Sequence, residues 1–417
     1  MSFTALHRIL GAAPGPLTDK LLDEAVAIGV AETDDLDWKS ALPAAKGLPQ
    51  TDFPKDIAAM ANTGGGLIVY GVRESQKCAV ERVDVGEFDE VYERSLRSAA
   101  MTAIAPPVFG LVVHRFGSVD QRAVAVEIPA SVDGPHLIYR NEYFGAPIRN
   151  NSDTVWMKER QIEARYRARF DERRHAAEAL DKLYVEAARG RDSEERAWLI
   201  AVGRPRVPKF KERLARAQAR KLLGFAWDVA MHYTVNRGIH PIDSVNRHDL
   251  RPGLRRWVAP CDPFSRQGSG SEAGVAVHHE GTVTVAATVG GLKKEEGGGH
   301  NEGHQVDSAA IECGVADLMA LIRVAAAMTG HDEYDLRIGI EWTGEQPLTI
   351  FADDFLGRMR DEYSQLHRYS PVDATVSALG GGDDFLWRIN ELARDCVNQG
   401  GINRLRVIRR PEPGELE

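Results

Sequence analysis

The sequence predicts an α/β protein of the α+β kind, organised as two globular halves joined by a helical segment. Three observations carry that reading. A helix at residues 55–63 runs through a glycine cluster straight into an apolar, β-branched run ending at Val72. Helical and two-residue periodicities alternate along both halves of the chain. The length, 417 residues, exceeds what one ordinary core accommodates. The boundaries that follow are a first domain at 1–157, an Arg-rich helical linker at 158–192 and a C-terminal α/β domain at 193–417.

Composition narrows the class. With 43% hydrophobic and 27% charged residues the chain reads as globular. No apolar run approaches the ~20 residues that span a bilayer, and the N-terminus lacks the basic-then-apolar profile of a secretory signal, so no membrane partner and a cytoplasmic location are expected. Cys78, Cys261, Cys313 and Cys396 are scattered, with no C-x-x-C pair to form a zinc knuckle or a disulfide framework. The net charge of −9 counts against a general affinity for polyanions. The interval 158–221 is nevertheless Arg-rich, so a nucleic acid would have to bind locally.

Residues 17–28 place Leu21, Leu22, Ala25 and Val26 at helical spacing, with Thr18 or Asp19 as a cap and Gly29 as a stop. In 31–40 the spacing turns strand-like, which makes Asp35, Asp37 and Lys39 neighbours on one face, with Leu36 and Trp38 on the other. Carboxylates brought that close repel unless a cation relieves them, the logic of a divalent-metal site; a solvated edge strand has the same pattern. Thr51 or Asp52 can cap the next helix, Pro54 suits its first turn, and Asn62-Thr63-Gly64 offers a left-handed exit. Gly64, Gly65 and Gly66 then bend the chain into a buried strand, and Gly71 allows close approach at its far end. A phosphate-cradling Walker loop needs a lysine and a Ser or Thr directly after its glycines, opening a helix; here Leu67 and Ile68 follow and open a strand, so no nucleotide cofactor is expected.

Glu32, then Leu36-Asp37-Trp38-Lys39, then AAMANTGGGLIVYGV at 58–72 resemble the opening motifs of the Schlafen/AlbA-like DNA-binding domain family. Further matches come in order: Ile104-Ala105-Pro106-Pro107, the strand AVAVEIP at 123–129, Gly134-Pro135-His136, the closing hairpin at 143–152, and Trp156-Met157-Lys158-Glu159 as the start of the next helix. The resemblance covers about residues 15–170. It implies a mixed-sheet domain that binds RNA or DNA and, as in the Schlafen nucleases, a three-carboxylate site holding Mg²⁺ or Mn²⁺ for RNA cleavage. Carried over by position, Glu32 matches the first acidic residue, Asp37 stands where the family usually has Glu, and Glu74 is the nearest carboxylate after the Gly-Val strand. Lys39 matches the strand lysine, in a position to hold the scissile phosphate or to pair with Asp37. Arg149, Asn150 and Asn151 offer a fork and small donors to phosphate.

From Lys158 the pattern is helical, with Ile162, Tyr166, Phe170, Leu180 and Tyr184 forming an apolar face expected to be buried, and Arg165, Arg167, Arg173 and Arg174 an ion-paired one. This helix suits a spacer or a homodimer contact. Arg206, Lys209 and Lys211 lead into a basic helix running to Leu223, which is either a second phosphate-following surface or an ordinary solvated helix. Residues 274–279 and 282–289 read as a hairpin turning at Glu280-Gly281, and glycine-rich 290–304 reads as a mobile loop. A long helix at 307–328, strands at 336–342, 347–351, 374–379 and 405–408, and a helix at 384–398 complete the second half, which resembles no family.

Two functions follow. The first is a nucleic-acid-binding Schlafen-like protein that cleaves its substrate with a metal held by Glu32, Asp37 and Glu74. The alternative is a non-catalytic DNA-binding regulator with a C-terminal sensor or dimerisation domain. Whether the carboxylates converge on one point or are each neutralised by Lys and Arg separates the two.

Overall fold

The computed structural model describes residues 3–13, 15–140, 143–207, 213–235, 238–294, 299–352, 364–378 and 381–410. The chain divides into two compact units, Met1–Arg174 and His175–Glu417. The class is α+β, with mixed and antiparallel sheets and no closed barrel among the described residues.

In the first unit α1 (Ala5–Leu10) and α2 (Asp19–Ala27) lead to β1 (Leu36–Lys39), α3 (Phe53–Thr63) and β2 (Gly66–Tyr70). An antiparallel pair, β3 (Val72–Ser75) and β4 (Cys78–Arg82), precedes α4 (Glu90–Thr102), β5 (Ile104–Ala105), β6 (Val112–Phe116) and β7 (Ala123–Ile128). Then come β8 (Leu137–Arg140) and β9 (Tyr143–Gly145), which join β5 in a small sheet, and the hairpin β10 (Pro147–Asn150) and β11 (Asp153–Trp156). The main sheet has the order β1-β2-β7-β6, with β1 and β2 parallel and the other pairs antiparallel.

Both faces of this sheet are covered, which is why β2 is a continuous apolar run and not an alternating one. Leu67 and Val69 pack with Leu36 and Trp38 of β1 and with Leu22 and Ala25 of α2. Ile68 and Tyr70 pack on the opposite face against Ile57 and Met60 of α3 and Leu96 of α4. By the two-residue period, Asp37 and Lys39 of the edge strand therefore point to the α3 side. Asp35 lies before the strand and is held at its start by Arg8, 2.6 Å away.

The glycine junction has a steric cause. Gly65 has φ +88°, and a Cβ there would lie 2.7 Å from the Ile128 carbonyl oxygen. Gly71 has φ +97°, and its Cβ would lie 2.9 Å from that of Ala123. Neither position admits a side chain. Trp156 is not helical, as the motif had suggested, but ends β11: its pairing with Pro147 completes the hairpin ladder, and α5 (Glu159–Ala188) starts three residues later.

That helix has a single short buried stretch. Leu180 and Tyr184 are its buried residues; of the apolar face expected along its first half, Ile162 and Tyr166 are half-buried, Ile162 against Leu137, Ala146 and Met157, and Phe170 is 63% exposed. The arginine face is ion-paired as expected, with Arg167 on Glu163 and Arg174 on Asp171, each at 2.6 Å.

The second unit continues with β12 (Trp198–Pro205), α6 (Arg216–Tyr233), β13 (Arg251–Gly253), β14 (Arg256–Ala259), α7 (Pro263–Gly268), β15 (Ala273–His278) and β16 (Val283–Thr288). After these come β17 (Gln305–Asp307), α8 (Ser308–Thr329), β18 (Glu333–Glu341), β19 (Leu348–Phe351), β20 (Ser364–Leu366), β21 (Val372–Ser377) and α9 (Gly382–Asn398). Seven strands form an antiparallel sheet in the order β13-β14-β15-β16-β12-β18-β21. Leu199 and Ala201 of β12 face the core shared with α6, α8 and α9, while Trp198, Ile200 and Val202 pack with Leu180 and Tyr184 of α5. The hairpin read at 274–289 is present, turning at Gly281 with φ +94°. The flanks of the glycine-rich stretch pair with each other through Lys293 and His300; residues 295–298 lie outside the described residues.

Residues 405–408 are not the strand expected from their apolar content. Their single bridge joins Thr234 and Ile408. Their N–H groups go instead to Glu312, fully buried on α8, whose Oε2 accepts from Arg406 at 2.9 Å, Val407 at 2.7 Å and Ile408 at 3.2 Å. One turn along α8, buried Asp317 holds the His240 ring at 2.6 Å and accepts from the Ile242 N–H at 2.8 Å.

Candidate functional site

A cleft of about 720 Å³ opens in the first unit where the edge strand β1 meets the start of α3, the β3–β4 turn and the tip of the β10–β11 hairpin. Six carboxylates line it, from Glu32, Asp37, Asp52, Asp56, Glu74 and Asp153. Five cations face them, from Lys39, Lys55, Arg73, Lys77 and Arg149, for a formal balance of −1.

Asp37 is the centre of this arrangement. It is 1% exposed, a position a carboxylate holds only with opposite charge beside it. Lys39 Nζ lies 2.7 Å from its Oδ2, and Arg149 lies 3.3 Å from its Oδ1. Arg149 is itself buried. Its guanidinium reaches the Thr33 carbonyl at 3.4 Å, and its backbone N–H donates to Thr63 Oγ1 at 2.9 Å. The hairpin that carries it is fixed to the end of α3 by Asn62, whose amide donates to the carbonyls of Pro147 at 2.8 Å and His136 at 2.9 Å and accepts from the His136 N–H at 2.7 Å.

Glu32 sits beside Asp37. One oxygen accepts from the Trp38 N–H at 3.1 Å; the other has no hydrogen-bond donor, only Lys77 Nζ at 3.5 Å. Burial first, and then the Asp37 charge, push its carboxyl above the usual range. Burial alone would lower Lys39, but Asp37, with help from Asp56 and Glu32, outweighs it and holds the ammonium above its ordinary value. Burial drives Asp56, on the first turn of α3, up to about 6 although Lys55 and Lys39 stand 3.7 and 4.0 Å away.

Of the three carboxylates expected to hold a metal, the structure brings two together. Glu32 and Asp37 are direct neighbours. Glu74 is on the cleft wall, but its Oε2 accepts from the Lys77 N–H at 2.7 Å within its own turn. Among the described residues no group of three or more His, Cys, Asp or Glu is placed to hold a metal ion. Lys39 and Arg149 both line the cleft. Asn150 and Asn151 are exposed at the hairpin turn, where Asn151 has φ +53°. Arg206 lies in the other unit, on Glu333 at 2.8 Å and Asp335 at 3.5 Å; Lys209 and Lys211 lie outside the described residues. The basic run does not open a helix at once, since α6 begins at Arg216.

Sequence reasoning missed Asp56, Lys55, Arg73 and Lys77. Asp56 had a signal: it is the one acid on a helix whose other buried residues are apolar or amide, and a charge on a buried face marks a paired or functional group. Lys77 had none, because it reaches Glu32 only through the β3–β4 turn.

Residues 32–158 match the family model described as Schlafen, AlbA_2. This stretch is a Schlafen/AlbA-like domain. It contains every residue that lines the cleft, and the family points to nucleic acid as the ligand class. The second unit lies outside the match. No curated protein matches the chain. Among solved structures, the N-terminal domain of a RecG-related protein from Nitrosomonas europaea is 19% identical over 34% of this chain and 90% of that one, with a TM-score of 0.24. The DIP2311 protein from Corynebacterium diphtheriae is 17% identical over 50% of this chain and 37% of that one, with a TM-score of 0.23. No helix among the described residues is long and apolar enough to cross a membrane.

Proposed function

We propose that the Schlafen/AlbA-like domain binds the phosphate backbone of a nucleic acid in this cleft. The observation that carries the reading is the convergence of Lys39, Lys55, Lys77 and Arg149 on one concave surface inside the matched segment. Each is steadied by a carboxylate, and a lysine has three donors, so an ion pair leaves capacity for a phosphate oxygen. The carboxylates also hold the balance at −1, which makes binding weak and strongly dependent on salt.

A second reading, metal-assisted cleavage, is favoured by the Glu32–Asp37 pair. Glu32 has a buried oxygen without a hydrogen-bond donor, Asp37 Oδ2 has Lys39 Nζ at 2.7 Å, and Mg²⁺ commonly takes one or two carboxylates and completes its shell with water and phosphate oxygens. Glu32 and Asp37 would hold Mg²⁺ or Mn²⁺, and Glu74 could join only by leaving its turn. The ion would polarise a phosphodiester and lower the pKa of bound water. On the protein side, Lys39 and Arg149 would orient the phosphate.

The test is binding of labelled single-stranded RNA, structured RNA and DNA across a salt series, with Mg²⁺, Mn²⁺ or chelator. Affinity should fall linearly on a log-log plot, and Lys39→Ala should lower the slope by about one phosphate's share. Salt-independent binding would overturn the phosphate reading. Products that need the metal and disappear in Asp37→Asn would establish cleavage, and binding without products would leave a regulator.

A further inference from the structure

The β10–β11 register places an exposed tryptophan one pleat period from the cleft. Arg149 pairs with Thr154 and Pro147 with Trp156, so Thr154 and Trp156 project from the same face of the hairpin. Arg149 and Thr154 line the cleft. Trp156 is 49% exposed, unusual for the largest apolar side chain. Its indole is nevertheless held on one side. The six-membered ring sits over Gly145, where an added Cβ would come within 2.6 Å of Cε3 and 2.7 Å of Cζ3. A glycine lets the ring settle on backbone, and about half of the side chain stays exposed.

We infer that Trp156 is a stacking platform for a base of a single-stranded nucleic acid whose phosphate lies beside Arg149. The inference rests on the phosphate-binding reading of the cleft and adds the strand state of the ligand. An unpaired base on a single strand is free to turn onto the indole. Duplex bases are already stacked on each other and cannot cover it. The ring needs no reorganisation to receive a base, because Gly145 already fixes its tilt.

The experiment measures binding by wild type, Trp156→Ala and Trp156→Phe to three labelled ligands: a single strand, a duplex of the same sequence, and a strand of the same length without bases. Trp156→Ala should weaken the single strand roughly 5- to 150-fold, the equivalent of about 1–3 kcal/mol of stacking per base. The base-free strand and the duplex should bind the two proteins alike, and Trp156→Phe should restore most of the loss. Equal losses on all three ligands would mark Trp156 as a support for the hairpin and overturn the inference, as would an unchanged affinity for the single strand. If the wild type shows no salt-dependent binding of the base-free strand, the cleft reading itself falls; if it binds that strand and Trp156→Ala is indifferent throughout, only the stacking inference falls.

Discussion

Replacing Asp56 with asparagine should stabilise the first unit at alkaline pH and strengthen its hold on polyanions. Asp56 is 7% exposed, and burial moves its carboxyl from its ordinary 3.8 to about 6. The sign follows from proton counting. Between pH 4 and 6 the folded protein binds more protons here than the unfolded chain, so stability falls as pH rises through that window and stays low above it. A difference of about two pH units corresponds to about 2–3 kcal/mol at pH 8, at roughly 1.4 kcal/mol per unit. Asparagine does not titrate and keeps the shape. Its lysine neighbours retain other partners, Asp37 for Lys39 at 2.7 Å and Asp52 for Lys55 at 3.0 Å. Glu32 is raised in the same direction but is present in both proteins, so it cancels from the difference. The assay is urea unfolding followed through the backbone amide signals of β2, which keeps the transition of the second unit out of the measurement. The variant should match wild type near pH 4 and exceed it by the stated amount at pH 8. A difference that does not change with pH, or a less stable variant at pH 8, would refute the argument that burial outweighs the lysines. The same substitution takes the cleft balance from −1 to 0, so nucleic-acid affinity at pH 8 should rise.

Two further perturbations probe buried charge. In a double-mutant cycle on Asp37→Asn and Arg149→Met, the first should cost about 3 kcal/mol because it strands the buried Arg149, the second less because Lys39 still pairs with Asp37, and the double variant should cost clearly less than the sum; additivity within about 0.5 kcal/mol would show that the 3.3 Å pair is not coupled. Glu312→Gln sets an amide NH₂ against the N–H groups of residues 406–408, which should cost about 2–3 kcal/mol and speed hydrogen exchange at those three amides; unchanged exchange would mean the segment is held by its apolar contacts alone.

How much could be read in advance depended on the range of the interaction. The burial of β2 after the glycines was legible because it is local, and steric contacts at Gly65 and Gly71 enforce the junction; at the helix start Thr51, not Asp52, supplies the side-chain oxygen, and Gly64 leaves the helix at φ +128°, outside the left-handed exit expected there. The facing of Asp37 and Lys39 followed from strand period alone. Asp56 carried a local signal, as the one acid on a buried helix face, but its partners on β1 meet it only in the folded state. Trp156 was taken for helix because a motif gives order along the chain and not the residue at which a ladder stops. At 405–408 an apolar run suggested a strand, but the backbone donors had a better acceptor in Glu312, about a hundred residues away. Outside the local hairpins β13–β14 and β15–β16, the register of the seven-stranded sheet lies in such distant pairings, and alternation within one strand does not say which strand is its neighbour.

Asn62 ties the end of α3 to the first residue of the hairpin and to the segment before β8 through three main-chain groups, the carbonyl of Pro147 and the carbonyl and N–H of His136. Main-chain groups are the same whatever side chains surround them. The sequence of the hairpin can therefore drift, through insertions near its exposed turn or exchanges on its solvent side, without moving Arg149. A change at Asn62 would shift Arg149 while leaving every cleft residue intact. Mutational tolerance should accordingly be lopsided, broad across much of the hairpin and narrow at one asparagine that touches no ligand.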